Sequence, residues 1–274
     1  MATIALVATG CGLAMALWFT FGNLPDVQRL ARERPQATAF IERFRAEQRK
    51  LGKPDRVEWR WVPFDSISPN LKRAIITSED IGFFSHHGFE VDEMKEALSK
   101  ALRERAAPRG ASTITQQLAK NLWLSPSRNP FRKLREAILT AQLEKNLPKR
   151  RILEIYLNVV QFGPGIYGAE AASAHYFGKS SYGLTDHESA LLATGLPRPG
   201  TWNPASTSRS YQRQVARLED RAARAMFLWT RLGENPGTDS LGLDTGFTGF
   251  LRSDTLLGTD TLFDGGGEDS TVQP

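Results

Sequence analysis

The chain has 274 residues, 41 % of them hydrophobic and 24 % charged, which suits one folded domain with appendages and excludes a wholly disordered polymer. Its net charge of +5 hides a split: residues 234–274 carry eight acids against Arg252 alone, which leaves +12 on the rest. A basic body of that kind calls for an anionic partner, and a single cysteine, Cys11, excludes an intrachain disulfide and a thiolate metal site.

Ala2 to Gly22 is a 21-residue run with no charged side chain. As a helix it would reach about 31 Å, close to the hydrocarbon thickness of a bilayer. Trp18, Phe19 and Phe21 gather at one end, where an interfacial aromatic belt sits. The run is longer than the apolar core of a typical cleaved signal peptide and lacks a small-residue cleavage site before Asp26. A membrane anchor over residues 1–25 is the expectation. Arg29, Arg32 and Arg34 follow it, and charge alone would place the body on the cytoplasmic side.

Residues 26–56 read as a charged juxtamembrane helical segment interrupted near Pro35. Val57 to Val62 partly alternates and predicts a short strand ending at Pro63. Ser68 and Pro69 supply a cap and a first-turn proline for a helix through Ser78. Helical periodicity then continues near 92–106, 113–123, 130–146, 149–159, 166–177, 186–195 and 207–232, with turns at Gly163-Pro164-Gly165 and Pro197-Arg198-Pro199-Gly200. The predicted fold class is mainly α. The Gly-, Thr- and Asp-rich residues 234–274 read as an acidic, disordered tail.

The most informative segment is Gly110 to Asn121, sequence GASTITQQLAKN. Thr113 followed by Gln116 forms a capping box, so a helix starts there with its unpaired N–H groups facing outward. Ser112, Thr113, Gln116, Gln117, Lys120 and Asn121 crowd its first turns with donors. Phosphate or diphosphate is the ligand such a helix start suits. Glu79, at the end of the helix bearing Ile75 and Ile76, has apolar neighbours that would raise its pKa, as a general base requires. Glu136 is a second carboxylate, with Arg132 four residues before it and Lys133 three. Phe131, Leu134, Ile138 and Ala141 form an apolar stripe on the same helix, while Glu136 shares its face with Leu139 and Leu143. Lys120, Arg128, Arg132 and Lys133 together match a diphosphate in charge. Leu122, Trp123, Leu124 and Phe131 interleave with them and suggest an entry for a lipid tail. Four scattered histidines do not suggest a dedicated metal cage. Thr185 and Glu188 read as a capping box, and Arg209, Arg213, Arg217 and Arg221 as a basic helix face.

Five segments occur in order between Glu79 and Pro204: EDIGFFSHHGF from Glu79, the Gly110–Asn121 run, RKLRE from Arg132, ILEIYLN from Ile152 and YFGK from Tyr176. Together they resemble the peptidoglycan glycosyltransferase family, the lysozyme-like polymerases of lipid II. Asp80, Phe83, His86 and Gly88 fit the first motif, whereas Glu90 stands where the family usually has Asp. The nearest subgroup is the monofunctional transglycosylases.

The resemblance implies a lysozyme-like lobe and a small membrane-proximal hydrophobic lobe within residues 57–233. It implies Glu79 as general base, and Glu136 with the cations as holders of the diphosphate. Lipid II and the growing lipid-linked glycan are then the substrates. The setting is the outer, periplasmic side of the inner membrane behind a single-pass anchor, against the charge rule. No cofactor is required, although a divalent ion (Mg or Mn) could assist. Cell-wall synthesis or division proteins are candidate partners, and nucleic acid is not. A lytic or hydrolytic muramidase, which would not need the cations, and a non-catalytic cell-wall scaffold are the alternatives.

Overall fold

The computed structural model describes residues 12, 15, 22, 24–90, 112–125 and 130–233. The anchor over 1–25 lies almost wholly outside these residues, as do the helix expected near 92–106, Arg128 and the tail from 234. Among the described residues no helix is long and apolar enough to cross a membrane.

Helix starts follow from local chemistry. Asp26 caps a 3-10 turn over Val27–Ala31, and Thr38 accepts from Ile41 N–H to open α1, Ala39–Lys50. The chain is therefore broken around Pro35, as the sequence indicates. Ser68 accepts from Asn70 N–H and Pro69 takes the first turn of α2, Pro69–Glu79. Thr113 and Gln116 close a reciprocal capping box at α3, Ile114–Trp123. The helices α4, Pro130–Asn146, and α5, Lys149–Val159, come next. Then follow α6, Ala169–Phe177, and α7, Asp186–Gly195, which opens on the Thr185–Glu188 box. Glu188 is thus a cap, as its spacing indicates.

Three short strands make one sheet in the order β1 (Glu58–Trp59), β3 (Ile166–Tyr167), β2 (Gln161–Gly163). β1 runs parallel to β3 and β2 antiparallel to it, with a register irregularity between Gln161 and Gly163. This corrects two expectations. The strand predicted over 57–62 is confined to two residues, and the helix predicted from 166 starts at Ala169. Gly168 explains the later start, because its φ of 82° is costly for other residues and a Cβ there would stand 2.6 Å from the Asn158 carbonyl oxygen.

The long C-terminal helix predicted over 207–232 is also divided. α8, Arg209–Arg224, ends at Ala225, whose non-helical backbone turns the chain into α9, Phe227–Leu232. The break lets Leu228, Trp229 and Leu232 bury their side chains and brings α9 back against α2. One continuous helix would carry those apolar groups past the core.

The core is centred on α2, which packs on α7, α8 and α9, while α3 packs on α1, α4 and α5. Leu71, Ile75 and Ile76 of α2 are fully buried, each contributing about 1.5–3 kcal/mol. Asn158, at the end of α5 and fully buried, ties β1 to this core. Its Oδ1 accepts from Val62 N–H at 2.9 Å and its Nδ2 donates to Val62 O at 3.0 Å, while its backbone carbonyl accepts from the Trp59 indole at 2.7 Å. Asn158→Leu strands both amide groups of Val62 and is predicted to cost about 2–4 kcal/mol in urea unfolding. A loss below about 1 kcal/mol would mean that water replaces these bonds freely.

Candidate active site

Glu79 is the last residue of α2 and Asp80 caps it, so two adjacent acids leave the same helix in different directions. Asp80 is buried. Its Oδ2 accepts from Ile114 N–H at 2.9 Å, and its Oδ1 meets His86 Nε2 at 2.8 Å. His86 Nδ1 accepts from Gly88 N–H at 3.0 Å, which leaves the ring proton on Nε2 to be donated to Asp80. The Asp80 carboxylate thereby satisfies one of the unpaired donors that open α3 and locks the end of α2 to the start of α3.

That junction sets Glu79 beside Gln117. Gln117 Nε2 donates to Glu79 Oε2 at 2.8 Å, and Gln117 Oε1 accepts from the Tyr156 hydroxyl at 2.9 Å. Ser78 donates to Glu79 Oε1 at 3.3 Å. Burial pushes the Glu79 carboxyl above its ordinary value of 4.5, opposed by the hydrogen bonds from Gln117 and Ser78 and by the charge of Lys120. Burial raises the Tyr156 phenol well above 10, so it stays a neutral donor.

Lys120 lies one turn along α3. Burial lowers its ammonium pKa, aided by the charges of Arg132 and Lys133, and Glu136 and Glu79 both act in the other direction. One ammonium therefore feels both carboxylates and two further cations, which places Glu79, Lys120, Arg132, Lys133 and Glu136 in one electrostatic neighbourhood. Glu136 is buried with both oxygens engaged: Oε2 pairs with Arg132 Nη1 at 3.0 Å, and Oε1 with Lys133 Nζ. Leu139 and Leu143 beside it are fully buried, whereas Phe131 and Leu134 are exposed. The helix turns its carboxylate face inward and the Phe131 and Leu134 end of its apolar stripe outward, with Ile138 half-buried.

The other expected residues divide by burial. Gln117 and Ser112 reach a surface, with Ser112 exposed and its carbonyl 3.4 Å from Gln117 Nε2. Thr113 and Gln116 are buried, and their oxygens close the capping box. Thr113 Oγ1 also donates to Gly88 O at 2.8 Å. They build the site but do not offer those oxygens to a ligand. Asn121 is buried, and so are Leu122 and Leu124, so the last two belong to the core. Phe83 is fully buried under Phe84 and carries Lys149 Nζ over its ring at 4.5 Å. Gly88 is required because its φ is 89° and a Cβ would stand 2.8 Å from Thr140 Cγ2.

Two features escaped the sequence reading. Tyr156 was only one letter of a motif, yet a hydroxyl among Ile152, Leu153, Ile155 and Leu157 signals a buried group in need of a partner. Asp80, His86 and Glu90 also converge, each offering one ligand atom within 4.8 Å of the others. Both His86 nitrogens are already engaged, so a cation at Nε2 would have to displace the proton shared with Asp80.

Residues 47–224 match the Transglycosylase family profile. The chain belongs to the transglycosylase family. It is 45 % identical over 199 residues to a biosynthetic peptidoglycan transglycosylase of Azoarcus sp., covering 72 % of this chain and 83 % of that one. It is 44 % identical over 185 residues to the enzyme of that name from Thiobacillus denitrificans, covering 68 % and 80 % respectively. A third, from Aromatoleum aromaticum, is 50 % identical over 167 residues, 60 % of this chain and 72 % of its own.

The raised Glu79 pKa of this transglycosylase has a consequence for stability. Below pH 4.5 the carboxyl is protonated folded or unfolded, and burial carries no charge penalty. As pH rises through the native value, the fold must hold a charge that burial disfavours. Glu79→Gln is therefore predicted to be more stable than wild type near pH 8, with the advantage vanishing below about pH 4.5. Urea midpoints at the two pH values check this, and an equal difference at both contradicts it.

Proposed function

We infer that this chain is a peptidoglycan glycosyltransferase that polymerises lipid II into β-1,4-linked glycan strands, releasing undecaprenyl pyrophosphate. The observation that carries the mechanism is a desolvated carboxylate, Glu79, sharing its neighbourhood with Lys120 and the Glu136–Arg132–Lys133 cluster.

Glu79 takes the proton from the 4-hydroxyl of the acceptor sugar. The freed oxygen attacks the anomeric carbon of the growing chain, and the new C–O bond forms with inversion. The bond from that carbon to the diphosphate oxygen breaks, and the electron pair leaves with the lipid diphosphate. Gln117, fixed from behind by Tyr156, orients the base. Lys120, Arg132 and Lys133, with Arg128, meet the leaving group's negative charge, which grows as the bond breaks. Glu136 holds Arg132 and Lys133 in place instead of acting as a second base. The reaction needs no nucleotide or redox cofactor. A magnesium or manganese ion on the diphosphate would add to the same positive cluster.

The exposed Phe131 and Leu134 beside these cations suit a substrate whose diphosphate is tied to a lipid tail. A lysozyme-like lobe with a smaller membrane-facing lobe, anchored by residues 1–25 on the outer side of the inner membrane, is the arrangement this substrate requires. The cation cluster favours polymerisation over a muramidase, whose reaction releases no diphosphate.

Purified protein incubated with labelled lipid II is expected to yield lysozyme-sensitive glycan. Glu79→Gln should lower kcat by at least about a thousand-fold, and Lys120→Ala by about a hundred-fold or more. Because the base must be ionised, the rate of wild type should fall on the acid side through a midpoint above 4.5. Fragmentation of pre-made glycan without synthesis would overturn the polymerase reading.

A further inference from the structure

A cavity of about 190 Å³ opens between α2, α7 and α8, on the side of α2 next to the base. Ser78, Thr194, Trp202, Gln214, Arg217 and Arg221 are among the residues that line it. Ser78 joins it to the site above, since the same hydroxyl side chain donates to Glu79. Glycosyl transfer itself draws on none of the other residues that line this cavity.

Its chemistry is incomplete in one direction. Thr194 is buried, only 6 % exposed, and its hydroxyl has no hydrogen-bond partner among the described residues. That oxygen is sealed from the cavity space, so Thr194 shapes the wall, and the hydroxyl that faces the cavity region is that of Ser78. Arg217, an exposed residue, lines the cavity without an ion pair to any described residue, and no described acid lines it. Arg221 donates to the backbone carbonyl of Thr77, which fixes its guanidinium at the cavity wall. Trp202 forms an apolar side, held by Tyr211 at 6.0 Å and by Arg198 over its ring at 5.1 Å.

Two guanidinium groups, a hydroxyl and an indole select a carboxylate joined to a small apolar residue. The volume is below the roughly 300 Å³ at which whole small-molecule sites begin, so the cavity takes one group of a larger ligand. We propose that this cavity is a carboxylate subsite for the peptide stem carried by the glycan substrate, seated next to the sugar that Glu79 deprotonates. The proposal rests on the polymerase reading for the identity of the peptide. It assigns part of the basic face of α8 to substrate selection instead of solvent.

The test uses the full chain in detergent and calorimetric titration with a soluble stem pentapeptide, L-Ala-γ-D-Glu-L-Lys-D-Ala-D-Ala, and the same peptide with its carboxylates amidated. Wild type is expected to bind the free acid on the order of ten-fold more tightly, the effect of a charge-assisted hydrogen bond. Arg217→Ala should erase the preference and Arg221→Ala should weaken it. Arg213→Ala, which removes the same charge outside the cavity, should keep it. Equal or absent binding of the two peptides by wild type would overturn the proposal, as would an unchanged preference in Arg217→Ala. A carboxylate preference in a protein that makes no glycan from lipid II would leave the subsite standing and overturn the polymerase reading.

Discussion

The Asp80 carboxylate is the constraint on which the rest of the site depends. It ends α2 and captures the first N–H of α3, so two helices separated by more than thirty residues of chain meet at one buried charge. His86, held through Gly88, fills its other oxygen. A buried carboxylate that accepts from a helix start is well compensated, and losing either partner would leave a costly charge. The position of Glu79 against Gln117 follows from that junction, because both residues sit within one turn of it.

The two acids at the end of α2 do opposite work in a single step of chain. Asp80 is satisfied on both oxygens and is structural. Glu79 keeps partners weaker than its desolvation, so its ionised form is held at a cost. Glu136 resembles Asp80 in this respect: each oxygen is paired with a cation. Burial alone therefore does not mark the reactive group. The imbalance between burial and compensation is what supports Glu79 as the proposed base.

Much of the fold was legible because its signals are local. The Ser68, Thr113 and Thr185 caps act within one turn, and each begins a helix where the sequence places it. The failures share a non-local cause. Helix α6 starts late because Gly168 must pass the Asn158 carbonyl, ten residues earlier in the chain. The break at Ala225 serves packing of α9 on α2, a contact that no periodicity reports. In the site, Glu79, Gln117, Lys120 and the Arg132–Glu136 cluster could be named from motif and charge, whereas the commitment of Thr113 and Gln116 to the cap needed coordinates. Tyr156 was missed because its partner, Gln117, lies on another helix.

The central claim is that burial sets the Glu79 carboxyl high and that Gln117, braced by Tyr156, keeps it from rising further. Carbon-13 NMR titration of the Glu79 carboxyl measures this without reference to any substrate. The account predicts a wild-type midpoint above 4.5 and a higher one in Tyr156→Phe, where Gln117 loses its brace. A wild-type midpoint at or below 4.5, or one that Tyr156→Phe leaves in place, would contradict it.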